Sequence, residues 1–236
     1  MIQISIAELH QSLETFAADA KDFLVDTKAL IHLKNNLVSF TSGSPSVFTL
    51  EIAESNPLIT KPAPKKFTYK VGDEIRSVVV HASITAIWNC RGIPLAKKNK
   101  PATHLTVEGL ATSKCVFMAE VDGEHVPILQ YHADIQALDG PGPSLHFQLS
   151  DNVNAVGLDV PRLISSQVHV IDFMDMVIGE LFGELWSKRT TTARDFWLGP
   201  QKRRLAAIFD LYRQTCENSG FNGLRSVCAH KHEVKL

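Results

Sequence analysis

Residues 167–189 read QVHVIDFMDMVIGELFGELWSKR, and no other stretch limits the possible folds so strongly. Ile171, Met174, Ile178, Leu181 and Leu185 recur at spacings of three and four, which keeps side chains on one helical face. Val170, Phe173, Val177, Phe182 and Trp186 widen that face until a narrow polar stripe is left, made of Asp172, Asp175, Gly179, Glu180, Gly183 and Glu184. A helix this apolar must be covered on most of its surface, by a sheet and by a second helix. Ser165 or Ser166 is placed to cap its start, and Lys188 and Arg189 suit the negative end of its dipole. Gly179 and Gly183 sit one turn apart, as in membrane helix pairs, but the carboxylates of the stripe would be costly in lipid. The expectation is a buried core helix of a soluble protein.

A chain of 236 residues can build a sizeable core without disulfides. Its layout predicts one α+β domain over residues 1–222 and a tail over 223–236. Cys90, Cys115, Cys216 and Cys228 are few and scattered, which fits reduced thiols. No basic-then-apolar leader and no long uncharged run is seen, so the expectation is a cytoplasmic protein with no membrane partner.

The net charge of −1 hides a segregation along the chain. Residues 1–60 carry −4, residues 61–110 carry +6, residues 111–185 carry −9 and residues 186–236 carry +6. Blocks of this size bear on surface fields and partners rather than on fold.

Ser5 and Glu8 form a capping box before a helix with Leu9, Leu13, Phe16, Ala20 and Phe23 along one stripe. Asp26 caps a second helical piece that is expected to stop at Asn35 and Asn36. Residues 37–41 and 46–53 then read as a short hairpin, and residues 56–66, with three prolines, as a loop with a mobile middle. The sheet follows. In residues 76–89, Val78, Val80, Ala82, Ile84, Ala86 and Trp88 alternate with polar positions, the period of a half-buried antiparallel strand. Residues 104–110 and 114–121 are further strands, and Asp122-Gly123 predicts a tight hairpin into 124–135, with Ala119 opposite Val126 and Phe117 opposite Ile128. Apolar parity changes after Ile128, which predicts a bulge there or burial on both faces. Residues 144–149 are the last strand. After the core helix, Gly199-Pro200 is expected to restart a C-terminal helix whose inward stripe is Leu205, Ile208, Phe209, Tyr212 and Cys216. The fold class is therefore α+β: an N-terminal helix, a central antiparallel meander, and C-terminal helices packed on one face.

No phosphate-binding glycine loop, nucleophile elbow, zinc-protease motif or paired CxxC occurs. Two clusters remain. His132, Asp134, His146 and Gln148 fall on one face of adjacent strands. Two imidazoles and a carboxylate suffice for a zinc or iron site, and His132 with Asp134 would serve as a general-base pair. Polar residues also belong on the wet side of a half-exposed sheet, and on that ground no bound ion is expected. Cys216, Cys228, His230 and His232 form a competent zinc set whose C-x11-C-x-H-x-H spacing matches no established finger pattern.

The leading expectation is a non-catalytic interaction module, without a cofactor, that meets another protein or a second copy of itself through surfaces of opposite charge. Nucleic-acid contact is the alternative, through Lys202, Arg203, Arg204 and Arg213 with Lys97, Lys98 and Lys100 of a basic loop. A metal-dependent enzyme at His132, Asp134 and His146 is the third reading.

Overall fold

A computed structural model describes residues 3–42, 47–71, 73–93, 102–108, 110–136, 142–148, 163–164, 169–189 and 194–218. Strand β1 (Gln3–Ser5) leads into α1 (Ile6–Ala20), whose start is capped as the Ser5/Glu8 pair predicts, with Ser5 Oγ accepting from the Glu8 amide at 3.4 Å. Leu9, Leu13, Phe16 and Ala20 are buried along it, and Phe23 is buried in the turn beyond.

Helix α2 (Lys28–Ser42) opens beside Asp26, whose carboxylate accepts from the Lys28 amide at 2.9 Å. It does not stop at Asn35 and Asn36, and residues 37–41 are helical rather than extended. The reason is Leu30, Leu33, Leu37 and Phe40, all buried at helical spacing. Two asparagines cost about 0.7 kcal/mol each relative to alanine, whereas burying a leucine or phenylalanine returns roughly 1.5–3 kcal/mol.

Strand β2 (Val47–Ile52) is present as predicted, but its partner is the long strand β5 (Glu74–Ile93), with Leu50 opposite Trp88. The segment expected to be mobile, residues 56–66, is instead pinned. It contains β3 (Leu58–Ile59); the Thr60 amide donates to the Ala82 carbonyl at 2.9 Å, and the Ala63 amide to the Val80 carbonyl at 2.7 Å. Leu58, Thr60 and Ala63 are buried there. Prolines remove donors but do not prevent the remaining amides from reaching a strand edge.

Strand β5 is the axis of the sheet. It pairs with β2, β3 and β4 (Phe67–Val71), and also with β6 (His104–Val107) and β7 (Leu110–Val121). Strands β8 (Glu124–Gln136), β9 (Gly142–Gln148) and β10 (Leu163–Ile164) continue the antiparallel order beyond β7. Val78, Val80, Ala82, Ile84, Ala86 and Trp88 are buried, as their alternation requires. Asp122 (φ 53°) and Gly123 (φ 84°) form the tight turn between β7 and β8, both left-handed as a two-residue hairpin demands.

Ala119 faces Val126 as expected, but Phe117 faces Leu129 and not Ile128. The register shifts between Phe117 and Met118, where Ile128 is the extra residue. The bulge lets Ile128, Leu129 and Tyr131 all pack against the core despite their adjacent numbers.

Helix α3 (Val170–Phe182) covers β5 and β7, and α2 covers β2 and β3. Ile171, Phe173, Met174, Val177 and Ile178 are fully buried. The start is capped by His169, while Ser165 and Ser166 lie outside the described residues. The helix does not run on to 189. Gly183 adopts φ 51° and ψ −119°, a conformation costly for any residue with a Cβ, and its amide donates to the Gly179 carbonyl at 2.8 Å. A short α4 (Glu184–Ser187) follows, in which Trp186 is buried and Leu185 is 59% exposed.

Helix α5 (Arg194–Asn218) passes straight through Pro200 and is not restarted there. Its buried residues among those described are Trp197, Pro200, Gln201 and Arg204. Leu205 is half-buried and Phe209 is 65% exposed; the side chains of Ile208, Tyr212 and Cys216 are outside the described set. The predicted tail, residues 223–236, also lies outside it. Among the described residues no helix is long and apolar enough to cross a membrane.

Ile178 sits at the centre of the layer between helices and sheet. Ile178→Ala should lower unfolding free energy by about 2–5 kcal/mol in a urea titration, the usual result of emptying a large aliphatic site.

Candidate functional site

The polar stripe reaches water only at its far end, where Glu180, Gly183 and Glu184 are exposed; Asp172 and Asp175 are covered by α5. Asp172 is buried, and it is met by an equally buried Arg204 from α5, whose Nε lies 2.9 Å from Asp172 Oδ2 while Nη2 takes Oδ1. Arg204 Nη1 also reaches Glu8 Oε1 of α1 at 3.4 Å. Burial pushes the Asp172 carboxyl above its ordinary value, and the Arg204 guanidinium draws it back. Two further carboxylates repeat the design. Asp19 of α1 accepts from Arg189 Nε at 3.1 Å and from Trp197 Nε1 at 3.2 Å. Asp175 of α3 accepts from Trp186 Nε1 at 2.6 Å and from Gln201 Nε2 at 2.7 Å.

Trp197, Gln201 and Arg204 stand one helical turn apart, so one face of α5 delivers three polar groups to carboxylates on α1 and α3. Trp186 and Trp197 stack at 5.8 Å, with the Phe16 ring edge-on to both. Arg194 closes the corner by donating from Nη1 to the carbonyls of Trp186, Ser187 and Arg189.

His169 belongs to the same region. Its Nδ1 accepts from the Ile171 amide at 3.2 Å, and with Ile4, Ser5, Glu8, Leu9 and Arg204 it lines a crevice of about 10 Å³, the room of a single water. Burial, reinforced by the Arg204 charge, holds the ring well below its ordinary 6.5, so the folded protein keeps it neutral. This group of charges is structural. Arg204, expected at a partner surface, is withdrawn into the core.

Of the other basic candidates, Arg203 and Arg213 are exposed and ion-paired. Arg203 Nη2 pairs with Glu8 at 3.2 Å and Arg213 with Asp210 at 3.5 Å, while Lys202 is exposed. Lys97, Lys98 and Lys100 lie outside the described residues. The charge blocks of the sequence thus meet inside the fold: Glu8, Asp19 and Asp22 from the first acidic block pair with Arg203, Arg204 and Arg189 from the last basic one. Arg76 similarly reaches Asp122 at 2.8 Å.

The chemistry-bearing face predicted from the sequence is the side of the sheet away from α3. Register places Thr85, Lys114, His132 and His146 in one row across β5, β7, β8 and β9. Asp134 lies two residues along, opposite Thr112 and Ser144, and Gln130 faces Gln148. His132 is half-buried, its Nε2 against the Gln130 side-chain amide. The side chains of Asp134, His146 and Gln148 are outside the described set, as are residues Cys228, His230 and His232. Among the described residues no three His, Cys, Asp or Glu side chains gather tightly enough to hold an ion.

A second histidine pair on this face joins residues 44 positions apart in the chain, a separation that no local sequence pattern signals. His81 and His125 meet edge-on with centroids 4.8 Å apart, and burial and the His125 charge lower the His81 pKa.

Cys90 and Cys115 are buried free thiols. Burial pushes Cys90 up to about 12 and Cys115 upward as well, so neither supplies a thiolate near neutral pH.

Comparison with known proteins finds no matching family model, no matching curated protein and no matching solved structure.

Two outcomes follow from the buried polar region. Asp172→Asn leaves Arg204 charged and under-compensated, and should cost about 3–5 kcal/mol in denaturant unfolding, whereas Asp172→Leu combined with Arg204→Met should recover much of that loss. His169 sets a pH dependence. Its folded pKa is depressed, so below about 6.5 the unfolded chain binds a proton that the folded chain refuses. Stability should be full above that value and fall by up to about 1.4 kcal/mol per pH unit below it. His169→Asn, which keeps a capping acceptor, should remove that slope from unfolding curves recorded between pH 5 and 7.

Proposed function

We propose that the protein is a non-catalytic interaction module, and that it associates with a second copy of itself through the face of its sheet that no helix covers among the described residues. One observation carries the reading. Ile87 is 47% exposed on that face, between Glu51 and Thr112 in register; Val47 and Ile59 are exposed opposite Arg91 and Ser83, and Val79, Val116 and Met118 are half-buried further along the same face. Among the described residues the helices lie on the opposite side of the sheet. Exposed aliphatic groups on a sheet face without a helix against it are the kind of surface that association would cover.

Charge supports a self-complementary partner. The same face carries acidic Glu51 and Glu120 together with Lys114 and the histidines. A two-fold interface needs both signs within one patch, because each residue meets the other's counterpart. The short strands at the two ends of the sheet, β1 and β10, disfavour pairing through its edges. The reduced thiols at Cys90 and Cys115 suit the cytoplasm, which is the compartment we propose.

Ile87→Asp should convert an associated species, measured by light scattering of the purified chain, into a monomer with an unchanged unfolding midpoint. A wild-type chain that is monomeric at tens of micromolar would reject self-association. Submicromolar binding of DNA or RNA, lost on reversing Lys202 and Arg203 to glutamate, would replace this reading with the nucleic-acid one. Arg204 is left out of that test, because its reversal would report on folding.

A further inference from the structure

We propose that His81 and His125 form a pH switch on the sheet face that no helix covers among the described residues, and that protonation of both rings releases the second copy of the chain. The inference rests on the self-association proposed above and names its regulation. Strand β7 runs between β5 and β8, and the two side chains reach over it until their rings meet edge-on, with centroids 4.8 Å apart. Half-buried Met118 is opposite His81 on one side and Pro127 on the other. Val79 is opposite Glu120, which is opposite His125 in turn. The pair therefore stands among the aliphatic groups that association would cover.

Neutral rings in edge contact suit such a surface. Two imidazolium ions at this separation repel, and a second copy laid over them would remove the water that solvates them. The neighbouring charges decide how many protons the pair can hold. Burial and the His125 charge oppose a proton on His81, while the Glu120 carboxylate on β7 favours one. On the other side of β5, the segment that bonds to Val80 and Ala82 carries Lys61, an exposed cation. Arg76 and Asp122, towards the hairpin turn, pair with each other, and Lys114 and His132 lie further along the face. One carboxylate balances one proton and not two. The associated chain thus refuses protons that the separate chain takes up. Association is full above about pH 6.5 and weakens as pH falls below it, on the order of tenfold in dissociation constant for each excluded proton and pH unit.

The test is sedimentation velocity of the full chain from about pH 7.5 to about pH 5, with circular dichroism confirming that it stays folded. The dissociation constant of the wild type should rise at least about tenfold over that range, and that of His81→Gln/His125→Gln should stay flat. Imidazole resonances should show His81 titrating at a higher pH in Ile87→Asp than in the associated wild type. An associated species whose dissociation constant ignores pH would overturn the switch and leave self-association standing. A dependence that survives the double substitution would do the same. A wild type that is monomeric at pH 7.5 would instead reject self-association, and the switch with it.

Discussion

The Asp172–Arg204 ion pair is the contact on which the helical layer depends. Helix α3 supplies the apolar surface that seals the sheet, yet it carries carboxylates on the side turned away from the strands. Left unpaired, a buried carboxylate would be costly or would take up a proton. Helix α5 resolves this by bringing Arg204 to Asp172 and Gln201 to Asp175, and Asp19 of α1 receives Trp197. A leucine stripe would have held α5 with less regard to its exact seating. Hydrogen-bonded partners at three successive turns define one register, because a shift by a residue would strand several polar groups at once. That is also how Pro200 is tolerated inside the helix: the lost backbone bond is local, and the contacts on either side of it hold the same phase.

This arrangement changes the meaning of the charge pattern. Acidic and basic blocks along a chain suggest surfaces of opposite sign only if the blocks stay apart after folding. Here the first acidic block and the last basic block are packed together, from Glu8 with Arg203 and Arg204 to Asp19 and Asp22 with Arg189. At these residues, charge that could have faced a partner is paired within the molecule. The sheet face without a helix among the described residues carries Ile87, the half-buried aliphatics and His81, His125 and His132 along its length.

The sheet was legible because its signals are local. Alternation through residues 76–89, the Asp122-Gly123 turn and the parity change at Ile128 each specify geometry within a few residues. The row of Lys114, His132 and His146 follows from the same periodicity, since parity alone assigns a face. Errors arose where tertiary contacts outweighed local preference. Asn35 and Asn36 suggested a helix end, but Leu37 and Phe40 found a core; Gly199-Pro200 suggested a restart, but Trp197, Gln201 and Arg204 needed continuity. The buried role of Asp172 was hidden because its partner is 32 residues away, and nothing in a single helix reveals which polar stripe will be covered by another polar helix.

Hydrogen exchange of the native chain, followed by mass spectrometry, tests most directly whether these buried contacts join α5 to α1 and α3 as one cooperative unit. In the wild type, peptides from α3 and from residues 194–204 should exchange together at a slow common rate. In Arg204→Met, residues 194–204 should lose protection while β5 and β7 keep theirs. An α5 that already exchanges rapidly in the wild type, or one whose protection is unchanged by the substitution, would contradict the account.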